Sequence, residues 1–306
     1  EDGSISYLYS KKQEKQLIRK NGRFNKFRMY SDTPGMYDAW DILPNYKDME
    51  HTLEIVERPH IIEENADVLT IECKLKSEKS SFVKRIRFFR GFEGVEFECV
   101  VDWHEKHKLL KADFDCNVLT RVAKSDLGAG YIERETHKNT TWQQAKFEVC
   151  QQKWSSLSET GFGIGLINES KYGISFENNS MSLSLLRSTI RPDITSDMGE
   201  HKFCYMILPH NNGIPYLNKI AHEYNTPLVK ADINCDLNFG ELFLQSMKLS
   251  ENKEMIIYRL SEQNGNRGSI NLGGKYLKLN MLEDVEKEIE ILEYTPFEII
   301  TIAGKL

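Results

Sequence analysis

The period of the apolar residues, more than their number, limits what this chain can fold into. In VEFECVVDW, residues 95–103, Val95, Phe97, Cys99, Val101 and Trp103 share one face, while Glu96, Glu98 and Asp102 share the other. VLTIECKL repeats the pattern, with Leu69, Ile71, Cys73 and Leu75 set against Thr70, Glu72 and Lys74. Successive side chains of a strand point to opposite faces, so a period of two buries one side of a sheet; a helix would scatter the same residues around its axis. FVKRIRFFR precedes VEFECVVDW across the short GFEG, which reads as a hairpin turn. Further strands are predicted over HTLEIVE, GFGIGLINE, YGISFEN, MSLSLLRS, HKFCYMIL, EMIIYRL and FEIITI. One helix stands out, IPYLNKIAHEYN: Pro215 suits a first turn, Leu217, Ile220, Ala221 and Tyr224 recur at helical spacing, and Pro227 stops it.

The predicted fold is mostly β, with large antiparallel sheets stacked face to face. NTPLVKADINCDLN reads as a linker, and the C-terminal residues beyond it as several short strands of a small second β-sandwich. This places one domain over residues 1–230 and another over 231–306. A net charge of −6 with scattered basic residues argues against a nucleic-acid partner, which requires a basic face. No stretch approaches the roughly 18 apolar residues of a membrane helix. The opening EDGSISYLYS lacks both an initial Met and a basic-then-apolar leader, and reads as a start inside a longer chain, cut by processing or by expression as a fragment. Cys73, Cys99, Cys116, Cys150, Cys204 and Cys235 are widely spaced without a C-x-x-C pair, which suggests neither a zinc knuckle nor a dense disulfide framework; Cys73 and Cys99 sit at apolar positions of alternating strands, as buried thiols do, and a reducing, cytoplasmic setting is expected. Sequons at Asn139, Asn168 and Asn178 then carry no weight.

Several motifs bear on chemistry. SDTPGMYDAWDI sets Asp38 and Asp41 around Trp40, directly after a Pro-Gly turn. An indole face packs against a sugar ring while carboxylates accept hydroxyl protons, so the stretch suits a sugar-binding rim; an ordinary surface loop carries the same residues. WHEKH has its histidines at i,i+3 at a strand end rather than at i,i+4 on a helix, and reads as a solvated turn ahead of the basic run KHKLLK. GFGIG lacks the spacing of a dinucleotide loop. RETHKNTTWQQAKFE gathers Arg134, His137, Asn139 and Trp142, either a polar loop leading into a strand or a hydroxyl-binding constellation. LSLLRSTIRPD ends an apolar strand with Arg187 and Arg191, each able to hold a carboxylate or to pair with Asp193. No H-x-D, G-x-S-x-G or P-loop occurs.

Taken in order, YDAWDI, WHEKHKLLKADF, the run RETHKNTTWQQAKFEVCQQKWSSLSE, YGISFENNSMSLSLLRS with RPD, D-x-G-E-H-x-F-x-Y, LPH and the closing PFEI resemble glycoside hydrolase family 38, the α-mannosidases, over their C-terminal β portion. The resemblance runs from DGSISYLY to FEIITI. It implies a large super-sandwich of the galactose-mutarotase-like type followed by a small sandwich. It also implies a retaining double displacement with two catalytic carboxylates and one zinc, all carried by an N-terminal catalytic domain absent from this sequence. The chain itself is then expected to hold no cofactor and no metal and to be inactive alone. Its expected partners are that catalytic domain and mannose-containing glycans, with self-association through the uncovered sheet face as a further route to a homo-oligomer. The resemblance carries a substrate-contacting aromatic hydroxyl onto Tyr37, and an arginine near the catalytic carboxylates onto Arg187, with Arg191 as the alternative. Asp38, Trp40, Asp41 and His137 complete the expected substrate-binding set. Two other readings stay open: a free-standing carbohydrate-binding β-sandwich, and a mutarotase-like epimerase using His137, His201 and His210.

Overall fold

A computed structural model of the chain describes residues 2–211, 213–228 and 238–305. Its residues divide into two compact units, Glu1–Ser125 with Glu133–Asn225, and Asp126–Ile132 with Thr226–Leu306. The expected boundary at 230/231, most of the expected linker and Cys235 lie outside the described residues.

The first unit is a two-sheet sandwich with antiparallel pairings. One sheet has nine strands, in the order Tyr131–Glu135, Val122–Asp126, Trp154–Glu159, Phe162–Asn168, Gly199–His210, Val95–Trp103, Ser81–Phe89, Val68–Lys76 and Glu54–Glu64. The other has six, in the order Val149–Cys150, Gly173–Glu177, Ser180–Arg187, Lys108–Asp115, Phe24–Ser31 and Glu50–His51. The period-two faces meet between them. Phe97, Cys99, Val101 and Trp103 of one sheet and Phe24, Leu110, Ala112 and Phe114 of the other belong to a single buried cluster. Phe114 reaches across to Phe97 at 5.8 Å and to Tyr205 at 6.0 Å between ring centroids. The first pair is tilted and the second edge-on, arrangements that add to simple area burial.

The helix Gly213–Asn225 lies on the nine-stranded sheet with Leu217, Asn218 and Ala221 buried. The glycines of GFGIG make room on the sheet. A Cβ at Gly165 would stand 2.5 Å from Leu217 Cδ1, and one at Gly163 would stand 2.5 Å from His210 Cε1. Trp154 Nε1 donates to Asn218 Oδ1 at 2.6 Å, which satisfies two polar groups beneath the helix.

The basic run KHKLLK leads into the core. Lys108–Asp115 is a central strand of the six-stranded sheet, and Leu109, Leu110 and Lys111 are buried there. Lys111 keeps its charge partnered by Glu148 Oε2 at 2.5 Å. In the WHEKH turn His104 and Lys106 are exposed, and Glu105 is not. Glu105 is buried and accepts from Ser77 Oγ at 2.6 Å and Ser80 Oγ at 3.3 Å, so it caps a neighbouring hairpin turn rather than facing water.

The second unit is one five-stranded antiparallel sheet in the order Phe243–Leu249, Met255–Ser261, Ile299–Lys305, Gly268–Leu279 and Val285–Tyr294. The expected short strands are in part long: two of them span 12 and 10 residues. Leu260, Ile300 and Ile302 pack on one face of the sheet and Ile257, Leu279 and Ala303 on the other. Asp126–Ile132 joins this unit, with Tyr131 edge-on to Phe297 at 5.3 Å.

Candidate functional site

Three neighbouring strands of the six-stranded sheet end together. Ser31 pairs with Lys108, and Leu109 with Arg187. These ends and the loops that leave them carry six of the seven expected site residues. Arg187 closes its strand, loop 32–43 holds Tyr37, Asp38, Trp40 and Asp41, and loop 188–198 holds Arg191. Loop 104–107 adds His107.

Two carboxylates tie these loops together. Asp32, 3% exposed, accepts from Arg187 Nε through Oδ2 at 2.6 Å and from the Leu43 amide through Oδ1 at 2.9 Å. Arg187 also donates from Nη2 to the Asp41 carbonyl. The start and the end of loop 32–43 are thereby cinched to the end of strand Ser180–Arg187. Asp38, 2% exposed, accepts from the Ile190 amide at 2.7 Å and the Arg191 amide at 3.1 Å, which fastens the middle of one loop to the other. These two N–H groups, the Ile190 bond foremost, hold the Asp38 carboxyl below the usual carboxylate range against the opposing effect of burial, with His107 and Arg187 adding to the shift. His107 supports the arrangement from below: its backbone carbonyl accepts from Asp32 N at 2.9 Å, and its Nδ1 lies 3.9 Å from Asp38 Oδ2.

On this base the aromatic residues face outward. Tyr37 is 65% and Trp40 73% exposed, their rings edge-on at 6.3 Å. The Trp40 and Asp41 amides both donate to the Tyr37 carbonyl, at 3.0 and 3.1 Å, so a tight turn fixes the pair. The Asp41 carboxylate is exposed and turned to its own Ile42 amide. Arg187 is held from two sides within the protein, whereas the Arg191 guanidinium is exposed and makes no hydrogen bond or ion pair among the described residues.

His137 is not brought into this cluster. It lies beside Glu135 at 3.7 Å and accepts from the Asn139 amide at 3.3 Å. Its loop is a separate structure. Thr140 caps the short helix Thr141–Ala145 and accepts from Gln143 N, while Lys138 Nζ closes the helix end on the Gln143 and Lys146 carbonyls at 3.1 and 2.8 Å. Trp142 projects from that helix, 80% exposed. The histidines of the mutarotase-like reading share no partner. His201 Nε2 binds the Asp197 carbonyl, and His210 is buried on Ser156, where burial pulls its pKa down to about 4. Among the described residues, no three His, Cys, Asp or Glu side chains are grouped to hold a metal ion. A zinc therefore has no fitting donor set within them.

Asp32 and His107 escaped the sequence reading as site residues. Asp32 stands at the start of the acid–aromatic stretch, but nothing in its neighbours marks it as the partner of an arginine 155 positions away.

The model of the family described as glycosyl hydrolases family 38 C-terminal domain matches residues 1–195, which hold the whole latched cluster. The chain belongs to that family. Alpha-mannosidase G of Dictyostelium discoideum is 32% identical over 336 residues, a match covering 98% of this chain and 31% of that protein. Alpha-mannosidase 2C1 of Homo sapiens is 33% identical over 238 residues, covering 74% of this chain and 22% of that protein. This family 38 domain thus spans about a third or less of the length of these curated relatives. An alpha-mannosidase structure from Enterococcus faecalis superposes with a TM-score of 0.78 at 13% identity, covering 99% of this chain and 40% of that one, and so shares the fold. Among the described residues, no helix of the family 38 chain is long and apolar enough to cross a membrane.

Proposed function

We propose that the chain forms the C-terminal β portion of a retaining, zinc-dependent α-mannosidase and lends part of the rim of its mannose site. In this reading the two catalytic carboxylates and the zinc belong to a catalytic domain on the N-terminal side, which is also the chain's partner. The substrates are mannose-containing glycans. Tyr37 supplies a hydroxyl to the sugar, Trp40 an apolar face, and Asp38 holds the loop rather than the substrate. His137 has no place in this rim.

The observation that carries the reading is the presentation of Tyr37 and Trp40, both exposed, on a loop fixed by buried carboxylates inside the family-matched residues. An open platform offers one wall of a sugar site; a pocket that buries most of its ligand needs a second wall. Hydrolysis of p-nitrophenyl α-mannoside is the test. The 306-residue chain alone is expected to give no turnover, and the protein that carries it behind its catalytic domain is expected to be active. Turnover by the isolated chain, or a fully ligated zinc bound to it, contradicts the reading. The exposed aromatic pair also fits a free-standing carbohydrate-binding module. Calorimetry of the isolated chain with mannose oligomers separates the two, since a module gives a heat of binding and a lone wall gives none.

A further inference from the structure

The helix Gly213–Asn225 begins over an open recess of about 200 Å3 that contains no residue of the latched loops. Gly213 and Ile214 of its first turn line the recess with Lys124, Ser158 and His210. A first helical turn has N–H groups without intrahelical acceptors and the positive end of the peptide dipole, so it favours an anion. Every long helix offers that much; the histidine beside this one adds a second reason. His210 is 2% exposed, its Nε2 lies 3.0 Å from Ser156 Oγ, and its Nδ1 is buried without a hydrogen-bond partner among the described residues. A buried ring nitrogen left unpaired is costly, and a ligand in the recess would remove the cost. Ser158 Oγ stands 2.8 Å from Ser156 Oγ, so a chain of hydroxyls leads to Nε2. With Nε2 accepting from Ser156, a neutral ring carries its proton on Nδ1 as a donor. Burial lowers the His210 pKa to about 4, which makes the neutral ring the form present at neutral pH. Lys124 brings an ammonium to the rim, 3.2 Å from Glu133. Glu159, the carboxylate in the lining, is committed to Lys15 Nζ at 3.3 Å and to the Leu119 amide at 2.9 Å, which offsets its opposition to an anion.

We propose that this recess binds a phosphate group, free or esterified, between the first turn of helix Gly213–Asn225, His210 Nδ1 and Lys124. The Gly213 and Ile214 N–H groups, Nδ1–H and the Lys124 ammonium donate to the phosphate oxygens, while Ser156 and Ser158 hold the ring tautomer that makes Nδ1 a donor. The donors come from three elements: the helix, the end of strand Gly199–His210 and strand Val122–Asp126. A phosphate has enough oxygens to serve all three, whereas a carboxylate has two. The site is independent of the α-mannoside reading, which neither requires it nor accounts for it.

Magnetic resonance of the imidazole groups in the 306-residue chain, titrated near neutral pH with inorganic phosphate and with chloride at equal ionic strength, tests the site. The His210 signals, recognised by their low pKa, are expected to shift saturably with phosphate, while those of the exposed His104 stay in place. Chloride is expected to move neither. Lys124→Gln and His210→Gln are each expected to weaken phosphate binding about ten-fold, the loss of one charge-assisted hydrogen bond. A parallel titration with methyl phosphate distinguishes the sources: tighter binding than inorganic phosphate assigns the site to an ester, and weaker binding to the free ion. His210 signals that phosphate leaves unmoved, or that chloride moves as far, overturn the site. So does an affinity that Lys124→Gln leaves unchanged. Should His210→Gln fail to fold, the unsubstituted chain and Lys124→Gln decide, since the Lys124 side chain is partly exposed.

Discussion

The outer face of the nine-stranded sheet and the loops beyond the six-stranded sheet both bury carboxylates among arginines, yet for different ends. On the sheet, Glu98, 3% exposed, accepts from Arg85 at 2.5 Å, Arg87 at 3.0 Å and Lys202 at 3.2 Å. These partners sit on the neighbouring strands, with Arg85 directly across from Glu98 in the register. Backbone pairing already holds such strands together, and the ion pairs seal a face that is shut. In the loops, Asp32 and Asp38 join segments that no backbone ladder connects, and the aromatic groups above them stay exposed. A carboxylate on a sheet adds to an existing scaffold; a carboxylate between loops is the scaffold. Changes on the sheet should therefore register as global stability, and changes in the loops as local order and function.

The largest stability effect is expected at Glu98. Glu98→Ala leaves three cations competing for Glu96 and Glu72 alone and should destabilise the chain by about 2–3 kcal/mol in denaturant unfolding, a little under the cost of breaking a fully buried pair because Arg85 and Arg87 remain partly solvated. A loss within about 0.5 kcal/mol would place Glu98 with ordinary surface pairs.

The pH dependence is next in size. Burial alone would raise the Glu98 pKa, but Arg85, Lys202 and Arg87 outweigh it and hold the carboxyl below the ordinary glutamate range. A depressed folded-state pKa means that the stabilisation is fully present above the unfolded value of about 4.3 and is lost as the pH falls through the folded value. The melting temperature should therefore drop on acidification below about pH 4, and Glu98→Gln should flatten that drop. An unaltered acid slope in Glu98→Gln would remove it from the linkage.

Asp38→Asn should have the smallest global effect. One amide acceptor is replaced by a donor facing the Ile190 and Arg191 amides, so their exchange should quicken about ten-fold while the melting temperature stays nearly constant. A large drop in melting temperature would mean that the loops, too, are part of the global scaffold.

The two regions were also unequally legible in the sequence. VEFECVVDW is a strand over the predicted nine residues, because a face that meets another sheet must repeat with period two. MSLSLLRS, HKFCYMIL, EMIIYRL and the helix IPYLNKIAHEYN likewise match the observed elements to within a few residues at their ends. KHKLLK was not among the predicted strands because Lys111, wholly buried, writes a charge into a core strand, where Glu148 compensates for it. The long strands near the C-terminus were obscured by glycines: Gly273 and Gly274 interrupt one of them where its register with the neighbouring strand shifts. Asp126–Ile132 could not be assigned to the second unit from a linear reading, since its partner Phe297 lies at the far end of the chain. In the site, the acid–aromatic cluster was visible as a local run. Its organisation was not, because the bonds that matter join residues about 150 apart: Arg187 to Asp32, Ile190 and Arg191 to Asp38. His137 looked equivalent to them by composition and turned out to belong to a self-contained loop.

Kinetics of Tyr37→Phe on p-nitrophenyl α-mannoside, in the protein that carries this chain behind its catalytic domain, test most directly whether the latched loop serves a mannose site. The phenyl ring preserves the edge-on contact with Trp40 and removes only the hydroxyl. A fall in kcat/KM of about ten-fold or more is the expected result, as for a lost transition-state hydrogen bond; rates equal to the parent's would take Tyr37, and the platform with it, out of the site.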